Sequence, residues 1–166
     1  MKPTDTLRTD TPLGPVILTA TPQGVSGVWF EGQRHEPTEV AMKNWTSNAA
    51  NILLQETKNQ LLAYFAGQLS RFDLPLDLSA GTPFQQSVWQ ALLRVPCGKI
   101  LSYGDLAQQL NKPKAMRAVG GAVGRNPVSI IVPCHRILGA SGQLTGYAGG
   151  VWRKQALLKL EGHAAA

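Results

Sequence analysis

The segment of the chain best suited to chemistry is Pro-Cys-His-Arg at residues 133–136. It lies between the apolar run 128–132 and Ile137-Leu138, which predicts a segment packed into the fold. Cysteine attacks as the thiolate, and a nearby proton acceptor or cation favours that form. His135, beside Cys134, is the type of side chain that changes charge near neutral pH. The pattern fits an activated nucleophile, and it also fits an inert buried thiol, because free cysteines are often buried.

Composition predicts a globular, soluble protein. The 166 residues are 43% hydrophobic and 16% charged, enough for one ordinary domain or two small ones. The two cysteines, Cys97 and Cys134, are too few for a disulfide framework and lack a paired zinc-binding pattern, so we expect no metal. Residues 1–12 do not resemble a signal peptide, and no apolar run could span a membrane. We therefore expect a cytoplasmic protein with no membrane contact, in which Cys134 stays reduced and Cys97 is structural.

Charge is unevenly distributed along the chain. Residues 1–82 contain 6 Lys and Arg against 8 Asp and Glu, a net charge of −2. Residues 83–166 contain 10 basic and 2 acidic residues, a net charge of +8. A half this basic favours an anionic partner, with nucleic acid the leading candidate. Charge alone does not identify that partner.

The first half is predicted to combine strands with a helix. The β-rich segments 15–20 and 25–30 are separated by a turn signal, which predicts a hairpin. Residues 51–67 have the apolar spacing of a helix that ends at Gly67. Residues 72–78 alternate apolar and polar side chains, which predicts an edge strand where Pro75 is tolerable. Residues 79–82 are expected to form a linker.

The second half is predicted to be mainly helical. Thr82 and Ser102 are expected to cap helices that begin at Pro83 and Tyr103. Further helices are predicted over residues 115–123 and 152–160. Two short helices joined by the tight turn 111–114, in a basic half, are typical of a helix-turn-helix.

The predicted helix 115–123 contains the pair Gly120-Gly121, which costs about 1 kcal/mol per glycine relative to alanine. This cost indicates that something must come close to the helix. Arg117 is the single long cation of this helix. Because its other residues are small, the helix could approach a nucleic-acid duplex closely. Close packing against another helix explains the glycines equally well, and the sequence leaves both interpretations open.

An ordered series of motifs resembles the O6-alkylguanine-DNA alkyltransferases of the single-polypeptide bacterial type. The resemblance is strong over residues 82–163. It is loose in the first half, where it rests on residues 11–15 and 64–67. The strong motifs are FQQSVW at 84–89, SYG at 102–104, RAVGGA at 117–122, NP at 126–127, IIVPCHRI at 130–137, LTGYAGG at 144–150 and LEG at 160–162.

The resemblance implies a two-domain fold and a repair activity. An N-terminal RNase H-like α/β domain would cover residues 1–78, and a helical domain with a winged helix-turn-helix would cover 83–166. Such a protein flips an alkylated guanine out of double-stranded DNA and moves the alkyl group irreversibly onto Cys134. Each molecule acts once, and O4-alkylthymine is a second candidate substrate. The resemblance further implies a monomer that binds through the minor groove without a cofactor.

Roles for individual residues follow from the same resemblance. His135, oriented by Glu161, would take the thiol proton of Cys134 through a water molecule. Asn126 would brace the turn, and Tyr103 would rotate the target phosphate and protonate the departing base. Arg117 would fill the vacated stack. The other expected DNA contacts are Tyr103, Gly104, Lys112, Ala118, Gly120 and Gly121. The guanine pocket would be lined by Tyr147 and Ala148 together with backbone groups of Cys134 and Ile137.

Two other functions compete with alkyl transfer. Non-catalytic, alkyltransferase-like proteins bind damaged DNA, but they usually carry another residue, often Trp, at the position of Cys134. A Cys-His hydrolase would need an oxyanion hole and a separate orienting residue. It would also leave Arg117 and the helix-turn-helix unexplained, so alkyl transfer is favoured.

Overall fold

The computed structural model describes residues 2–163, and its first half is built on a four-stranded sheet. The strands are β1 (Asp5–Thr9), β2 (Val16–Thr21), β3 (Gly24–Phe30) and β4 (Thr46–Ser47), in the order β3-β2-β1-β4. The predicted hairpin is confirmed, because β2 and β3 pair antiparallel. The sequence did not predict β1 and β4, which pair with each other in parallel. The outer ends of the two predicted domains, Met1 and residues 164–166, lie outside the described residues.

The sheet packs against the predicted helix of the first half. A short helix, α1 (Glu39–Met42), precedes α2 (Ile52–Phe65). The side chain of Asn51 caps α2 by accepting a hydrogen bond from Leu54 N at 3.1 Å, and the chain leaves the helix at Gly67 with φ of 75°. Buried side chains of α2, among them Leu54 and Leu61, belong to the same core as those of β2 and β3.

The predicted edge strand over residues 72–78 is wrong in extent. This segment makes one bridge to β3, in which Val25 N donates to Pro75 O and Asp77 N donates to Val25 O, both at 2.8 Å. Pro75 has no N–H to continue a ladder. The side chain of Asp77 instead accepts hydrogen bonds from Thr21, Lys2 and Ser79, which turns the chain towards the second half.

Between residues 83 and 163 the structure has four α-helices, one short 3-10 helix and a parallel pair of short strands. The helices are α3 (Pro83–Leu92), α4 (Tyr103–Gln109), α5 (Met116–Gly124) and α6 (Val151–Leu160), close to the predicted limits. Thr82 and Ser102 cap α3 and α4 as predicted, each in a capping box. Strand β5 (Leu101–Ser102) pairs with β6 (Ile137–Leu138). Within residues 2–163, no helix is long and apolar enough to cross a membrane.

The glycine pair of α5 is not explained by internal packing. The buried face of α5 is formed by Val119, Ala122 and Val123, and it meets α3 and α4. A Cβ on Gly121 would have nothing within 4 Å, and one on Gly120 would lie at an ordinary 3.8 Å from the ring of Tyr103. Of the two interpretations left open by the sequence, the structure therefore disfavours close packing against another helix.

Candidate active site

Cys134 begins a short 3-10 helix, Cys134–Arg136, at the end of a loop braced by Asn126. The amide nitrogen of Asn126 donates to Val132 O at 2.8 Å and to Cys134 Sγ at 3.2 Å. The amide oxygen accepts from Val128 N at 2.9 Å. Ile130, inside this loop, has φ of 74°, a strained conformation for a β-branched residue. The hydrogen bonds of Asn126 and the burial of the loop hold this conformation. Asn126 thus fixes the shape of the loop and also contacts the thiol of Cys134.

Cys134 lines a cavity of about 360 Å³ between the two halves of the chain. Tyr103, Gly120 and Gly121 form one part of the wall, and Tyr147 and Ala148 form another. Of the predicted pocket residues, Ile137 is not in this wall. It is fully buried and pairs with Leu101 in the β5–β6 strand pair, which removes it from the cavity surface.

Glu161 is the centre of a buried hydrogen-bond network beside the cavity. Its Oε2 accepts from the hydroxyl of Tyr64 at 2.5 Å, from Arg136 Nη2 at 2.9 Å and from His135 Nε2 at 2.7 Å. Its Oε1 accepts from Arg136 Nε at 2.8 Å. These donors hold the pKa of Glu161 well below its usual value although burial opposes this, so Glu161 is a carboxylate.

The carboxylate of Glu161 determines which nitrogen of His135 can act as a base. An ionised carboxylate only accepts, so Nε2 of His135 carries the hydrogen. Burial lowers the pKa of His135, which keeps the imidazole neutral and leaves Nδ1 with a free lone pair. Nδ1 is buried and has no partner in the described chain. His135 is therefore set up to accept a proton at Nδ1.

Arg136 does not act on the thiol. Besides its two bonds to Glu161, it donates from Nη1 to Val95 O at 2.6 Å. The sequence suggested that a cation beside Cys134 could favour the thiolate directly. Consecutive residues on a 3-10 turn point in different directions, and Arg136 instead neutralises the buried charge of Glu161.

Burial dominates the electrostatics of Cys134. It raises the pKa of the thiol, while the hydrogen bond from Asn126 and the positive charge of Lys154 lower it. Because desolvation is the larger effect, the resting thiol is protonated and needs a base before it can attack.

Comparison with known proteins identifies the family. Residues 8–78 match the model of the 6-O-methylguanine DNA methyltransferase ribonuclease-like domain, and residues 83–163 match that of the 6-O-methylguanine DNA methyltransferase DNA binding domain. A methylated-DNA--protein-cysteine methyltransferase of Mycobacterium leprae is 50% identical over 93% of this chain and 90% of its own length. The chain belongs to the 6-O-methylguanine DNA methyltransferase family.

Solved structures agree with this family assignment. The OGT of Mycobacterium tuberculosis, crystallised in complex with DNA, superposes with a TM-score of 0.88 at 46% identity, over 97% of this chain and 96% of that one. The O6-methylguanine-DNA methyltransferase of Pyrococcus kodakaraensis gives a TM-score of 0.65 at 27% identity, over 96% and 99% of the two chains. The ribonuclease-like and DNA-binding domains expected from the sequence are thus shown. So is the general activity, DNA repair by alkyl transfer to a cysteine of the protein itself.

In this member of the family, several of the predicted DNA-contacting residues surround one cavity on α4 and α5. Arg117, Gly104 and Gly120 line a shallow cavity of about 480 Å³ next to the thiol cavity. Tyr103 lines both cavities, and its hydroxyl lies 3.1 Å from Thr145 Oγ1. The predicted contacts Ala118 and Gly121 are exposed on α5, and Lys112 lies in the turn before it, 6.0 Å from the ring centre of Phe84.

Sequence reasoning missed several residues of the site. Tyr64, from α2, reaches Glu161 across 97 positions of sequence, and it lies in a motif that matched only loosely. Arg34 and His35 line the thiol cavity from the first half, where Arg34 N donates to Ala148 O at 3.0 Å. Their polar loop carries no periodic signal. Lys154 is fully buried although α6 reads as an ordinary amphipathic helix.

Proposed function

We propose that Cys134 is the alkyl acceptor and that each protein molecule reacts once. Of the two cysteines, Cys134 lines the cavity and contacts Asn126, whereas Cys97 lies in a separate cavity beside Arg136. The thiolate would attack the alkyl carbon of an O6-alkylguanine. A carbon–sulfur bond forms, the carbon–O6 bond breaks, and its electron pair stays on the guanine, which takes up a proton. The thioether is stable, so the transfer is irreversible.

The proton of Cys134 would leave through His135. The free lone pair at Nδ1 and the burial of His135 support this role. A water molecule would carry the proton from Sγ to Nδ1, since the described chain supplies no direct hydrogen bond between them. The imidazolium that forms is stabilised by the carboxylate of Glu161 at 2.7 Å.

The target base would reach the cavity by leaving the double helix. Extrusion costs a few kcal/mol, and a side chain that fills the gap lowers this cost. Arg117 is exposed on α5, next to a surface kept shallow by Gly120 and Gly121, which suits entry into a minor groove. Tyr103 lies between this surface and the thiol cavity, where it would rotate the target phosphate and protonate the departing base.

The guanine would bind beside Tyr147 and Ala148. The small side chain of Ala148 in the cavity wall supports tolerance of alkyl groups larger than methyl. We expect single-turnover rates with O6-benzylguanine and O6-methylguanine bases to lie within about tenfold of each other, a difference of about 1.4 kcal/mol. A far slower reaction of the benzyl base would refute this specificity. O4-alkylthymine is the second substrate to compare.

The deciding experiment is intact-mass spectrometry after incubation with a duplex that contains one O6-methylguanine. One chain contains every group invoked here, so we propose that it acts as a monomer. The expected result is a gain of one methyl group per chain and no further turnover with excess duplex. An unmodified duplex is the control. Binding without a mass gain would indicate a damage-binding protein, and release of product with repeated turnover would indicate a hydrolase.

A further inference from the structure

The side chain of Lys154 is buried in a way that lysine seldom is. It lies on α6 with no exposed surface, and its Nζ has no hydrogen bond or ion pair to any described residue. Lysine is almost never fully buried unless it is paired, because an ammonium loses its hydration in the interior. A missing partner at such a site points to a group whose charge appears only during the reaction.

The surroundings of Lys154 identify that group. Helix α6 packs against the 3-10 turn Cys134–Arg136. The acid of this region, Glu161, is occupied by Tyr64, His135 and Arg136. Tyr147, the other ionisable group facing Cys134, has a pKa raised well above its usual value by burial, so its hydroxyl stays neutral.

The remaining charged groups leave Cys134 as the candidate. His135 can become positive but not negative at ordinary pH, and the guanidinium of Arg153 lies over the ring of Phe30. Burial lowers the pKa of Lys154 to about 8, and the negative charge of Cys134 opposes this lowering. Helix α6 packs against the turn that carries Cys134, and among residues 2–163 Cys134 is the group whose negative charge would act on Lys154.

We infer that Lys154 is a positioning residue whose ammonium holds the counter-charge of the Cys134 thiolate during alkyl transfer. This inference rests on the proposed role of Cys134. Lys154 forms and breaks no bond with the substrate. When His135 takes the thiol proton, the ammonium faces the new thiolate. When sulfur bonds to the alkyl carbon, the negative charge leaves with the guanine, and Lys154 loses its counter-ion.

The pH dependence of the reaction separates this role from a structural one. In Lys154→Met we expect the thiol to titrate about one pKa unit higher, so transfer from the free base O6-benzylguanine falls about tenfold at pH 7. At alkaline pH, where the thiol ionises unaided, the variant should approach the wild-type rate. Lys159→Met, on an exposed position of the same helix, is the matched control. An equal loss at every pH, or no loss, would overturn the inference.

A measurement on the wild-type chain avoids any question of whether the variant folds. With lysine labelled at the ε carbon, NMR titration follows Lys154 before and after methylation of Cys134. In the unmodified chain the thiol of Cys134 ionises at alkaline pH and helps Lys154 keep its proton there, whereas the methylated sulfur cannot ionise. Methylation should therefore lower the pKa of Lys154, and an unchanged or higher pKa would overturn the inference. A wild-type chain that gains no methyl group would instead refute the proposed function. Transfer by a Lys154→Met variant with an unshifted pH profile would refute this inference alone.

Discussion

The two sides of His135 differ in how completely their polar atoms are satisfied. On one side, Glu161 accepts four hydrogen bonds from Tyr64, His135 and Arg136. On the side of Cys134, the described chain leaves three buried polar atoms without partners: His135 Nδ1, Tyr147 Oη and Lys154 Nζ. We call the hydrogen-bonded group around Glu161 the support side, and the group of unpartnered atoms around Cys134 the reactive side.

The difference separates what must stay fixed from what the reaction completes. A saturated carboxylate holds the imidazole in one tautomer and orientation throughout the transfer. Each unsatisfied buried polar group costs about 1–3 kcal/mol of folding stability. Selection for stability alone would replace such groups. Their persistence around Cys134 is explained if water, substrate and the thiolate supply the missing partners in turn. Mutations on the two sides should therefore affect stability and transfer in different proportions.

The largest effect is expected on the reactive side, from Cys134→Ser. Transfer should become undetectable by intact mass, because a buried hydroxyl is a far weaker nucleophile than a thiolate. Binding to a duplex with O6-methylguanine, measured by fluorescence anisotropy, should persist because Arg117 and α5 are untouched. Cys97→Ser is the matched control and should keep full transfer. A loss of binding in Cys134→Ser would contradict the separation of binding from chemistry.

The next largest effect is expected on the support side, from Glu161→Gln. It should slow single-turnover transfer about 10²-fold, because His135 loses the charge that stabilises its protonated form. It should also lower the free energy of unfolding in urea by roughly 3–5 kcal/mol, since Arg136 is left as a buried unpaired charge. Glu56→Gln, on an exposed position of α2, should change neither quantity.

The acid stability of the wild-type chain gives a further check on Glu161. The folded state holds the pKa of Glu161 below its usual 4.5, so this contribution is present above pH 4.5 and is lost as the pH falls below it. The stability advantage of the wild type over Glu161→Gln should narrow over that range. An advantage that stays constant with pH would show that the charge of Glu161 contributes nothing.

A smaller effect is expected from Arg117→Ala, which lies outside both sides. Transfer from duplex DNA should slow about 10- to 100-fold, the equivalent of about 1.4 to 2.8 kcal/mol, because the extruded base leaves an unfilled stack. Transfer from free O6-benzylguanine should be unchanged. Lys114→Ala, which removes another exposed cation, should weaken duplex binding and reduce its dependence on salt without changing the rate at saturating DNA. Equal losses on duplex and free base would refute the insertion of Arg117.

The smallest effect is expected from Tyr64→Phe, which removes one of the four hydrogen bonds to Glu161. The free energy of unfolding should fall by about 1 kcal/mol, and the three remaining bonds should limit the loss of transfer to about threefold. Urea denaturation and single-turnover rates measure the two effects. A loss as large as that of Glu161→Gln would show that Tyr64, rather than Arg136, holds the carboxylate.

Local signals explain why much of the fold could be predicted. Thr82 and Ser102 accept the capping hydrogen bonds that the sequence predicts for them. The hairpin follows from β-branched residues around a turn. Strand β1 was missed because Leu7 is the one apolar residue among its five. The strand predicted over residues 72–78 was too long because an alternating pattern does not show that Pro75 has no N–H to donate.

The residues of the site likewise divide into those that local sequence motifs predict and those that only long-range packing brings in. The short-range motif around Cys134, together with the family resemblance, located His135, Asn126 and Glu161. The contacts of Tyr64 and Arg34 are set by packing between the halves, which no local pattern encodes. Lys154 was hidden because a buried lysine and an exposed one look alike in an amphipathic helix.

The central claim is that Cys134 alone accepts the alkyl group, and peptide mapping tests it most directly. After reaction with an excess of O6-methylguanine duplex, trypsin should release residues 126–136 with Cys134 and residues 95–99 with Cys97. The account predicts one methyl group on the first peptide in every molecule and none on the second. Methyl on the Cys97 peptide, or an unmodified Cys134 peptide from DNA whose lesion is gone, would contradict it.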